Sequence, residues 1–88
     1  MSNKLIKFSA RWCKQCVSYQ STWNAVTKEL KGWEVEEVAV DQEDGMDLAI
    51  TYGVKSLPTT IVIKDEDITI LRGVQTKGEL QVAMASVG

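Results

Sequence analysis

The chain has 88 residues, with 10 lysines and arginines against 12 aspartates and glutamates, no histidine, two cysteines and one proline. This length holds one compact core and no second domain of ordinary size, and the near-balanced charge leaves no basic footprint for nucleic acid or anionic lipid. The opening MSNKLIKFSARW has no apolar run long enough for a signal-peptide core, and no 18-residue apolar stretch occurs, so a soluble cytoplasmic protein without a membrane partner is expected.

Residues 4–9, KLIKFS, predict a short strand whose Leu5, Ile6 and Phe8 are apolar on both faces, as suits a central covered strand; Lys7 is the anomaly. From Cys13 the period turns helical. Cys16, Tyr19, Trp23, Val26 and Leu30 recur at intervals of three or four and Gly32 follows as a stop, giving a helix over about 13–31 with both cysteines on its first turn. Residues 33–40, WEVEEVAV, return to β-branched strand character, and DQEDG breaks it. A short helix over roughly 46–52 places Met46, Ala49 and Ile50 on one face and ends at Gly53. VKSLP then leads into TTIVIK, which DED turns back into ITILR as an antiparallel hairpin. Thr76 with Glu79 forms a T-x-x-E capping box, and Leu80, Ala83, Met84 and Val87 give a helical stripe to the C-terminus. The order βαβαββα, with no repeat or flexible linker, predicts one α/β domain over residues 1–88, a four-stranded mixed sheet flanked by three helices.

The two cysteines stand as Cys13-Lys14-Gln15-Cys16 at a strand-to-helix junction, where sites collect in open α/β sheets. A structural staple is disfavoured in a reducing compartment, and two cysteines fall far short of a stapled scaffold. A tetrahedral zinc site needs four ligands, and one cysteine pair without histidine does not supply them. Dithiol redox chemistry carries most weight. At a helix start, residues i and i+3 lie on one face with Cα separations of about 5–6 Å, which a disulfide spans. The first-turn N–H groups and the helix dipole favour a thiolate at the leading edge, so Cys13 is the expected nucleophile. Cys16, one turn in, is placed to resolve the mixed disulfide that Cys13 forms.

Arg11 and Lys14 either add attraction to the thiolate or serve as solubilising cations. Trp12 reads as core or as a substrate shelf beside the cysteines. Pro58 either begins the TTIVIK strand, where its missing donor does no harm, or follows a cis peptide bond that leaves the Leu57 backbone open to an extended substrate.

The segments KFSARWCKQC, VAVDQEDG, YGVKSLPTTIVIK and RGVQTKGEL, in this order and covering almost the whole chain, resemble the thioredoxin family. The resemblance implies a thioredoxin-like fold with sheet order β2-β1-β3-β4, reduction of protein disulfides, and a redox-active Cys13–Cys16 disulfide as the only redox group. No bound cofactor or metal is implied. Electrons come indirectly from NADPH through a thioredoxin-reductase-like enzyme. Pro58 is implied as a cis-proline against the cysteine pair, Leu57 as the residue whose backbone holds substrate, and Gly73 and Val74 as the loop completing the groove with Trp12. Disulfide-containing proteins, a ribonucleotide reductase among them, are the implied partners of a monomer. The chain departs from the pattern in lacking an extra N-terminal strand and helix, and in carrying Lys14 and Gln15 where the family usually has Gly-Pro. Lys7 and Glu37 occupy positions where the family usually pairs a buried aspartate with a lysine, so the charges are swapped; a partly buried pair that stabilises the thiolate or relays the Cys16 proton is expected. The alternatives are a glutathione-dependent, glutaredoxin-type enzyme, against which the single-glycine turn in RGVQTKGEL speaks, and a non-catalytic binding module.

Overall fold

The computed structural model describes residues 3–86, so Val87 of the expected C-terminal stripe lies outside the described residues. Seven elements follow in order: β1 (Asn3–Ser9), α1 (Lys14–Thr27), β2 (Glu34–Ala39), α2 (Glu43–Thr51), β3 (Thr59–Lys64), β4 (Asp67–Arg72) and α3 (Lys77–Ser86). The strands form one mixed sheet in the order β2-β1-β3-β4, with β1 parallel to β2 and antiparallel to β3, and β3 antiparallel to β4. No helix among the described residues is long and apolar enough to cross a membrane.

The strand period of two divides the apolar residues between two faces. Leu5 and Val62 join Tyr19, Trp23 and Val26 of α1 and Leu80, Ala83 and Met84 of α3 in one cluster. Ile6, Phe8 and Ile61 point the other way, toward Val38, Val40 and Ala49, and both cysteines belong to this second cluster. β1 is therefore covered on both faces, as its sequence predicts. Lys7 shares the α1 face and is completely buried.

Helix boundaries differ from expectation by three residues or more in two places. α1 ends at Thr27 rather than near 31, because Thr27 Oγ1 bonds back to the Trp23 carbonyl at 2.9 Å and the next amides tighten to i−3 partners, Glu29 to Val26 and Leu30 to Thr27. Gly32, with φ +79°, then turns the chain toward β2. α2 begins at Glu43, three residues before the expected start, since Glu43 and Asp44 favour a first turn and Gly45 is helical rather than a breaker. Of the expected apolar face, Ala49 is buried, whereas Met46 and Ile50 are exposed.

Gly45 is where α2 touches the sheet. A Cβ there would lie 1.8 Å from the Ala39 carbonyl oxygen, and the backbone of β2 cannot yield. Gly45→Ala is expected to push α2 outward at a loss of about 1–3 kcal/mol, by analogy with overpacked cores. Thermal denaturation checks this, with a Tm lowered by roughly 4–8 °C per kcal/mol in a domain this small. At α3 the capping box forms as expected: the Thr76 amide donates to Glu79 Oε1 at 2.9 Å and the Glu79 amide to Thr76 Oγ1 at 3.1 Å.

Candidate active site

β1 delivers the chain to the cysteines through a single turn. The Cys13 amide donates to the Ala10 carbonyl at 3.2 Å, and Cys13, in extended conformation, becomes the N-cap of α1 rather than its first residue. Its Sγ takes the place of a capping oxygen and accepts the Cys16 amide at 3.1 Å. A sulfur so placed faces the unpaired N–H groups of a helix start, which favour negative charge on it once the pair is reduced. Cys13 and Cys16 are joined in a disulfide with Cα atoms 5.2 Å apart. Both are almost buried, at 7% and 4% exposure, while Trp12 beside them is 71% exposed. A ring this open contributes little to the core and stands as a wall over the disulfide.

The Leu57–Pro58 peptide bond is cis, and Pro58 is buried at the start of β3. Its carbonyl accepts the Gly73 amide at 2.8 Å, with Gly73 at φ +84°. A side chain would strain that φ, so glycine suits the position where the last loop is pinned to the proline turn. Val74, next in the loop, is about half exposed.

A groove of about 700 Å³ runs from the disulfide toward α2. Trp12, Cys13, Lys14, Gln15 and Leu57 line it, together with residues sequence reasoning did not single out for the site: Val40, Met46, Ala49, Val54, Lys55 and Ser56. Exposed Met46, on a helix with a buried neighbour at Ala49, is the sequence signal for this wall, visible only once α2 is placed beside the cysteines. Gly73 and Val74 do not line this groove; they stand on the β3–β4 side, joined to it through Pro58.

Lys7 and Glu37 face one another across β1 and β2, and Lys7 Nζ lies 2.9 Å from Glu37 Oε1. The expected pair therefore forms, with the lysine buried and the carboxylate about half exposed. Lys7 also donates to Gln20 Oε1 and sits 5.5 Å from the centroid of the Trp23 ring. Burial raises the Glu37 carboxyl, but the hydrogen bond and charge of Lys7, with Gln20, outweigh it and hold the group below its ordinary range. Gln20, which no local pattern singles out, bonds Lys7 and, with Cys16, lines a small pocket of about 250 Å³. Arg11 does not turn toward the sulfur. It bonds Asp41 Oδ2 at 2.8 Å, tying the turn before the cysteines to the end of β2 and holding the Asp41 carboxyl below its ordinary range. Among the described residues no three Cys, Asp or Glu side chains gather to hold a metal ion.

A cysteine pair that closes across the first turn of a helix, at the end of a central strand, and shares a groove with the residue before a cis-proline defines a thiol–disulfide oxidoreductase domain. The family model Thioredoxin matches residues 1–86. Thioredoxin of Rickettsia felis is 30% identical over 77 residues, an alignment covering 86% of this chain and 72% of that protein. Protein disulfide-isomerase TMX3 of Homo sapiens is 31% identical over 78 residues, 86% of this chain but only 17% of that protein. The X-ray structure of Fasciola hepatica thioredoxin matches with a TM-score of 0.82 and 27% identity, over 96% of this chain and 79% of that one. The chain belongs to the thioredoxin family. It spans only a small part of several curated relatives it matches, the isomerase among them.

Proposed function

We propose that this protein reduces disulfides in other proteins and carries electrons from a reductase to them. The observation that carries this reading is the Cys13–Cys16 disulfide capping α1 at the mouth of a groove walled by Trp12. In the reduced form the Cys13 thiolate attacks one sulfur of a substrate disulfide; that S–S bond breaks and the first substrate thiolate leaves and takes a proton. Cys16, deprotonated in turn, attacks Cys13 Sγ in the mixed disulfide and releases the second substrate thiolate. The substrate gains two electrons and two protons, and the Cys13–Cys16 disulfide is restored.

Trp12 and the Leu57 backbone hold the extended substrate segment, and Gly73 and Val74 bound it on the far side of Pro58. Lys14 and Gln15 tune the motif from between the cysteines. Lys7 and Glu37 act through Gln20 on the pocket lined by Cys16 and set the proton balance of the resolving thiol. The setting is a cytoplasm, whose reducing poise keeps the dithiol ready, and the partners are disulfide-bearing proteins, a ribonucleotide reductase among them. NADPH enters through a thioredoxin-reductase-like enzyme.

The test offers the oxidised protein to a thioredoxin reductase with NADPH and, separately, to glutathione with its own reductase. NADPH consumption coupled to insulin reduction in the first arm is the expected result. Turnover in the glutathione arm alone would move the protein to the glutaredoxin side, and turnover in neither would leave a binding module.

A further inference from the structure

We propose that the groove selects substrate segments carrying acidic side chains beside the cysteine to be reduced, a preference that rests on the reductase reading above. The chain as a whole is acidic, with net charge −2, yet the groove is lined by two cations, Lys14 and Lys55, and by no carboxylate. Neither lysine is within ion-pair distance of a carboxylate among the described residues, while Lys4, Lys7, Arg11 and Lys77 are held by Glu36, Glu37, Asp41 and Glu29. The two cations share the groove with an apolar lining that includes Val40, Val54 and Leu57. Low-dielectric walls strengthen the field of charges at their rim, and a groove of one sign raises the local concentration of the opposite one. Lys14 lies within the motif and Lys55 two residues before Leu57, so a segment seated in the groove between the disulfide and the Leu57 backbone meets both cations.

The discriminating substrates are three disulfide-linked peptides identical except at the residues flanking cysteine, which are Asp, Asn or Lys. Second-order rate constants for oxidation of the reduced, full-length protein are each divided by that peptide's rate with dithiothreitol, which cancels the effect of neighbours on the disulfide itself. At low salt the Asp peptide is expected to lead the Asn peptide by about threefold to tenfold, the advantage two exposed ion pairs supply, and the Lys peptide to trail it. The spread should shrink toward parity at about 0.5 M salt, where the Debye length falls to several ångströms. Lys55→Gln should flatten the order, and Lys55→Glu should move it toward the Lys peptide. Equal normalised rates for all three peptides, or an order unchanged in Lys55→Glu, would overturn the preference while leaving the reductase reading intact. No reaction with any peptide or with uncharged 2-hydroxyethyl disulfide would overturn that reading and the preference together.

Discussion

A Cys16→Ser protein is expected to stop halfway through its reaction, accumulating a covalent adduct in which Cys13 is disulfide-bonded to its substrate. In the wild type the Cys16 sulfur already lies within bonding reach of Cys13, with Cα atoms 5.2 Å apart on one helical turn. Well-oriented intramolecular attacks reach effective molarities on the order of 10⁵ M, far above any external thiol at millimolar concentration. Without it the mixed disulfide persists until added thiol releases it, and steady-state turnover should fall by on the order of a hundredfold or more. Cys13→Ser should lose turnover equally but form no adduct, because Cys13 lines the substrate groove and Cys16 does not. Mass spectrometry of alkylated reaction mixtures distinguishes the two variants. Adduct on Cys13→Ser but not on Cys16→Ser would reverse the roles, and turnover retained in both would remove the dithiol mechanism.

Glu37→Ala should destabilise the fold more than Lys7→Met does, although Glu37 is the more exposed partner. Removing the carboxylate leaves the buried Lys7 ammonium with only Gln20 and the Trp23 ring, a loss of about 2–3 kcal/mol once reduced from fully buried pairs for the half-exposed site. Lys7→Met puts an apolar chain of similar shape into an apolar layer and leaves no buried charge; the partners it frees, Gln20 Oε1 and the Glu37 carboxylate, are both partly exposed, so its change should stay within about 1 kcal/mol. The double variant should recover most of what Glu37→Ala loses, and a double-mutant cycle on Tm measures that coupling. The same pair sets an acid limb. The Glu37 carboxyl sits below its ordinary value of 4.5 in the folded protein, so its contribution is fully present above that value and disappears as pH falls through the folded one. The wild type should therefore lose more Tm below about pH 5 than Lys7→Met, in which the lowering partner is gone. Titrating the Cys13 thiolate in Lys7→Met asks whether the pair also reaches the chemistry through Gln20, and an unchanged curve would confine Lys7 to stability.

The order of elements, the covered central strand and the position of the cysteines were legible from local patterns. KLIKFS is apolar at adjacent positions because both faces of β1 are covered, and Cys13 and Cys16 share a helical face because three residues make most of a turn. The ends of α1 and α2 were less legible. A serine- and threonine-rich helix unwinds where a hydroxyl competes for a carbonyl, as at Thr27, and a glycine in DQEDG reads as a breaker until the Ala39 carbonyl pressed against it explains why nothing larger fits.

Spacing and the backbone limits of single residues are enough to read off the redox pair, its place at the start of α1 and the proline-led strand that follows later in the chain. Packing between distant elements is what sets Met46 and Lys55 on the same groove as Cys13, turns Arg11 to Asp41 instead of the sulfur, and brings Gln20, the partner of Lys7, to the pocket lined by Cys16. Those relations link elements distant in the chain. Whether an apolar or charged side chain is core, groove wall or ion-pair partner depends on which neighbour packs beside it, a fact that no local period contains.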